Sequence, residues 1–237
     1  MNAKPGDLQD LAEVLESCYR TFSSYSLSMN FGKCVWLSPE IVHAIRVKPL
    51  GKLEAIDLNI YANHASSCGN RNDFNYLLPR ILELFSTGNL EIIPEMLSLN
   101  LANSGWTTGE REIIDSYLLA LWNALVNTFP FFLGPDEYLC SLAMIYPDLS
   151  LFLNLWDSNQ SLPSLRQLAE FAASAGYCPS WQGHPNQLNQ VTEWLLRPEL
   201  IAVLEDAAGQ FASAALAEEF LEAAVALHNW KANFMGG

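Results

Sequence analysis

Two short stretches gather the side chains that could do chemistry. In GWTTGEREIID, Gly105 to Asp115, four ionisable groups follow Trp106, and in DFNYLLPRILEL, Asp73 to Leu84, Arg80 emerges from an apolar run. Glu112 and Asp115 stand three apart on one helix face. Such a pair works as acid and base only where its surroundings split the two pKa values. An arginine in an apolar setting must be paired if buried, or it serves a carboxylate or phosphate ligand. Asp73, Arg80, Arg111 and Glu112 are therefore the candidate ligand-binding residues, and no catalytic residue is assigned.

Structural duties account for most of these charges. Thr107 and Glu110 form an S/T-x-x-E capping box, in which each side chain satisfies a free backbone N–H at the helix start. Arg111 and Asp115, four apart, can pair on the surface for about 0.3 kcal/mol. Arg80 has Asp73, Glu83 or a more distant acid as its expected partner. His64 and Cys68, also four apart, could chelate a metal with Cys34, but ordinary buried cysteine is commoner than such a site. No metal is expected, and Cys34, His64 and Cys68 stand as the alternative set. The chain has no G-x-S-x-G, no phosphate-binding glycine loop and no H-E-x-x-H, so no cofactor is expected either.

The elements that must position these residues read as helix after helix. Leu8, Leu11, Val14, Leu15, Cys18, Tyr19 and Phe22 repeat at three and four, which predicts a helix over Asp7 to Phe22. Ser38-Pro39-Glu40 opens a second, which stops before Pro49. A third is expected from Gly51 to Gly69. Pro79 demands a start or a kink inside the next apolar run, with Asp73 capping the turn before it. Prolines 94, 135, 163, 185 and 198 mark further starts, and an alanine-rich helix is expected from Ala214 to Phe234. No alternating run competes as a sheet. The expected fold is all-α, about twelve helices, as a multi-helix bundle or an irregular stack of helix pairs, with a HEAT-like solenoid as the alternative. Residues 1–237 are read as a single domain, or as two packed lobes joined near 177–186, where YCPSWQGHPN holds two prolines and a glycine.

Composition narrows the functions. Half of the 237 residues are hydrophobic and 16% charged, which excludes disorder for the bulk of the chain. Twenty-six acids face twelve basic residues, a formal net charge of −14, and no lysine or arginine falls between Arg111 and Arg166. Nucleic acid and anionic lipid both need clustered cations, so neither is an expected partner. Five widely spaced cysteines without a CxxC pair, and first residues without an apolar run, predict free thiols and a cytoplasmic location. Ser116 to Leu133 lacks charge over a span near membrane length, but Asn123, Asn127, Thr128 and Pro130 interrupt it. It reads as a buried central helix.

DFNYLLPRILEL, followed by Trp106, Glu110-Arg111 and the string YLLALW at Tyr117 to Trp122, resembles a family of uncharacterised bacterial proteins. The resemblance spans roughly Phe22 to Leu125 and implies a helical cytoplasmic protein without an assigned activity. It also implies a second cysteine near Cys34. Lys33, Val35 and Trp36 stand there instead, so a metal held by relatives at that point would be lost here. The expected function is a non-enzymatic protein-interaction or regulatory module, acidic and suited to a protein partner. The alternative is an enzyme or small-molecule-binding protein with a polar cleft around Arg80 and Arg111.

Overall fold

The computed structural model describes residues 10–103, 105–174, 181, 183–211 and 213–235, with side chains to residue 232. The fold is all-α: among the described residues there are thirteen α-helices and no strand. The chain divides into two compact units, residues 1–121 and 122–237. The division falls within a continuous helix, while the joint expected at 177–186 lies partly outside the described residues.

In the first unit, α1 (Leu11–Thr21) is capped by Asp10, whose carboxylate accepts from the Ala12 N–H at 2.7 Å. α2 (Pro39–Val47) starts as its Ser38-Pro39-Glu40 signal requires. The single helix expected over 51–69 is three pieces instead: a 3-10 turn (Leu50–Lys52), α3 (Ala55–Asn63) and α4 (Ala65–Cys68). A Glu54/Asp57 capping box sets the start of α3 after an extended Leu53, and His64 leaves helical geometry at its end. Lys48 reinforces that start, with its ammonium 2.7 Å from the Asp57 carboxylate.

Pro79 neither starts nor ends a helix. It lies inside α5 (Arg71–Ser86), which begins at a reciprocal Asn70/Asp73 box. α1 packs on α5, and α3 packs against α2, α5 and α6 (Pro94–Asn103). α7 (Thr108–Asn127) supplies Tyr117, whose buried hydroxyl donates to the Leu82 carbonyl at 3.0 Å. That bond satisfies a polar atom that burial would otherwise leave without a partner.

The second unit is built around indoles. Trp122, at the rear of α7, stacks on Tyr138 and meets Trp156 edge-on at 5.3 Å, in contacts aromatic quadrupoles favour. Its Nε1–H donates to the Phe152 carbonyl. Tyr138 comes from α8 (Pro135–Ala143), Phe152 and Trp156 from α9 (Ser150–Asp157). Trp156 also meets Phe171 of α10 (Leu162–Ser174) and Trp194 of α11 (Pro185–Leu195). α12 (Pro198–Gln210) and α13 (Ala214–Met235) close the unit, with α13 packed on α10 and α12. Among the described residues no helix is long and apolar enough to cross a membrane. The uncharged run after Ser116 is a buried helix that ends at Asn127.

Candidate functional site

The two chemistry-bearing stretches start neighbouring helices, and their charges are engaged. Asp73 is fully buried. Its carboxylate accepts from the Asn70 N–H at 2.8 Å and, in the loop before α2, from the Ser28 N–H at 2.5 Å and the Ser28 hydroxyl at 3.0 Å. Arg80 donates from Nε to the Leu53 carbonyl and from Nη1 to Glu83, each at 2.7 Å, and Tyr19 donates to the same Glu83 oxygen. Glu83 is thus the partner of Arg80, one of the acids the spacing offered. Arg111 pairs with Asp115 at 2.8 Å, and Glu112 faces solvent.

The acid that reaches across from α7 is Glu110. It accepts from the Thr107 N–H and hydroxyl, each at 2.8 Å, and from the Tyr25 hydroxyl, with the Arg71 guanidinium 4.0 Å away. Arg71 also donates to the Gly105 carbonyl. Trp106 meets Phe22 edge-on at 5.8 Å and lies against Phe74, while its indole N–H donates to the Leu101 carbonyl. Burial works to raise the Glu110 pKa, but the bonds from Tyr25 and Thr107 and the Arg71 charge outweigh it, and the carboxyl is held below its usual range. The hydrogen bond to Glu110, and burial after it, raise Tyr25. Acid and phenol are driven apart, away from neutrality, the opposite of what proton transfer at pH 7 needs. Deeper in, the Asn75 amide and the Tyr61 hydroxyl are buried with no hydrogen-bond partner among the described residues.

The cysteines correct the sequence reading. Cys34 and Cys68 form a disulfide, so the expectation of free thiols fails for this pair and the argument from thiols to a cytoplasmic location falls with it. Thirty-four residues separate them, a distance that only the fold closes. Gly32 makes the approach: its N–H donates to the Cys68 carbonyl at 3.0 Å, its φ is +78°, and a Cβ there would stand 2.4 Å from Val42 Cγ2. Arg46 holds the same loop through the carbonyls of Ser28, Met29 and Phe31. Both sulfurs of the alternative metal set are consumed, and His64 lies flat against Trp36 at 4.2 Å. Among the described residues no group of three or more His, Cys, Asp or Glu is placed to hold a metal ion. Cys18 and Cys140 are buried, and burial pushes the Cys18 thiol up to about 12. Cys178 lies outside the described residues.

The surface that sequence reasoning missed is the outer face of α3. Leu58, Tyr61 and Ala62 point into the core, while Ile56 and Ile60, four apart on the opposite side, are 75% and 40% exposed. Ile93, which shares a groove with Ile60 and His64, is 59% exposed, and Trp36, stacked on His64, is 51% exposed. Two asparagines hold this edge together. Asn59 Oδ1 accepts from the Glu91 N–H, Asn63 Nδ2 donates to the Glu91 carbonyl, and Asn63 Oδ1 accepts from the Ile93 N–H. They fasten residues 91–93 along the helix and leave an open groove of about 600 Å³, whose walls include Ile60, His64, Glu91, Ile93 and Met96. The signal was present in the sequence: the isoleucines fall about 200° around the helix from Leu58, which makes α3 apolar on both sides. Set against family models, curated proteins and solved structures, the chain matches none.

Proposed function

We propose that the protein works by binding another protein, and that the outer face of α3 is the surface it uses. The observation that carries this reading is an apolar helix face left in solvent. Ile60 and Ile93 line one groove with His64, on which Trp36 is stacked, and Ile56 is exposed one turn before Ile60 on the same helix. Contiguous exposed apolar groups cost solvation and mark places where another surface docks. Trp and Ile held on a braced edge suit an interface anchor, because little side-chain freedom remains to be lost on binding. The charged residues lend a catalytic or small-molecule cleft little support, since Asp73, Arg80 and Arg111 spend their hydrogen bonds on Ser28, Leu53, Glu83 and Asp115.

The test is photo-crosslinking in host cells, with a benzophenone amino acid at position 60 of the full chain and, as a control, at Leu221, exposed on α13. A discrete protein adduct from position 60, absent from 221 and abolished by Ile93→Asp, is the expected result. Equal labelling at both positions, or none at 60, overturns the reading.

A further inference from the structure

We propose that the groove beside α3 takes an amphipathic helix of the partner whose apolar face is flanked by lysine or arginine. This rests on the interaction reading above and adds the chemistry of what is bound.

Charge decides the flanks. The two segments that build the groove, residues 53–70 and 81–110, contain no lysine or arginine, yet hold Glu54, Glu91 and Glu95 besides acids engaged inside the fold. Glu91 is the charged group on the groove wall, and Glu54 stands exposed at the helix start, two residues before Ile56. Lys48, before the helix, is held by Asp57 and lies 3.7 Å from Glu54. A formal charge of −14 over the chain adds a long-range field that speeds encounter with a cationic segment and opposes a second copy or an anionic membrane.

Shape decides the helix. Ile56, Ile60 and His64 recur every four residues, a strip roughly 12 Å long at 1.5 Å per residue. That length matches about two turns of a helix whose anchors recur at i, i+3, i+4 and i+7. The backbone groups of 91 and 93 that face α3 are already bound by Asn59 and Asn63, so an added strand would find them taken.

The probe is a fluorescein-labelled helical peptide of ~18 residues, leucine at the anchor positions and lysine on the flanks, with a twin carrying glutamate for lysine. Anisotropy is read on the full chain, its Ile60→Asp, Ile93→Asp and Glu91→Lys variants, and Leu221→Asp as a remote control, each checked for fold by circular dichroism. The lysine peptide is expected to bind wild type and Leu221→Asp alike, about tenfold more weakly to the two isoleucine variants and severalfold more weakly to Glu91→Lys. The glutamate twin is expected not to bind. If the twin binds as well and still depends on Ile60, the basic partner is overturned while the surface stands. If neither peptide binds, or binding ignores Ile60 and Ile93, the proposal fails, and the interaction reading is then decided by the crosslinks alone. Sedimentation showing a dimer that Ile60→Asp breaks would give the face to a second copy and overturn the proposal.

Discussion

Glu110 is the residue on which the meeting of α5, α7 and the loop after α1 turns. Its carboxyl is held low in the folded chain, so the stability it lends is present above its unfolded value of about 4.5 and is lost as pH falls through the folded value. Tyr25→Phe removes one of the bonds that hold it low. The variant is expected to be less stable than wild type at pH 7 by about 1 kcal/mol, with the gap closing as pH drops below 4. Urea unfolding at pH 7, 5 and 3 measures this, and a gap that stays constant with pH would mean that Tyr25 acts through packing alone. The Thr107/Glu110 box was legible in the sequence because both partners lie within one turn. Tyr25 was not, because it meets Glu110 across 85 residues. The same limit applies to Ser28 as the partner of Asp73, whereas Glu83 lay within reach of Arg80 in the sequence itself.

Among the elements, starts were easier to read than interiors. Proline after a capping residue announces α2, and proline likewise opens α8, α11 and α12, because the ring presets φ where no N–H is needed. The break at His64 had no such mark, and of the start or kink expected at Pro79 the start is absent, because α5 runs from Arg71 to Ser86. The helix expected over 51–69 was read without telling an inner face from an outer one, since both sides of α3 are apolar. Asn63 is the element-level hinge of the candidate surface. Asn63→Ala loses the bonds to Glu91 and Ile93 and is expected to cost about 1–2 kcal/mol in thermal unfolding. It should also raise amide exchange at Ile93 and weaken partner binding, because the isoleucine is no longer fixed beside α3. Unchanged exchange at Ile93 would show that the edge holds without the asparagine.

For the whole molecule, helix periodicity and start signals told the fold class, an all-α chain, and composition told only that there is apolar material enough for a core. It could not tell where the chain divides, because the division runs through α7, which is continuous in sequence and in structure. Nor could it pair the cysteines. Closing a 34-residue loop constrains the unfolded chain, so the Cys34→Ser, Cys68→Ser double variant is expected to lose about 3–4 kcal/mol in urea, with the loss confined to the first unit. Equal stability of oxidised and reduced wild type would contradict this.

The same bond turns part of the chain into a covalent ring. Residues 34–68 enclose α2, α3, Trp36, Ile56 and Ile60, whereas Ile93 lies outside. A protease that cuts once between Val35 and Ser67 therefore yields no separate pieces. The nicked molecule runs as one band without reductant and as two with it, and α3 stays joined to α5 through the chain or through the disulfide, whichever side of it is cut. Half of the proposed binding surface is thus guarded against a single scission, and the other half, on residues 91–96, has no such guard.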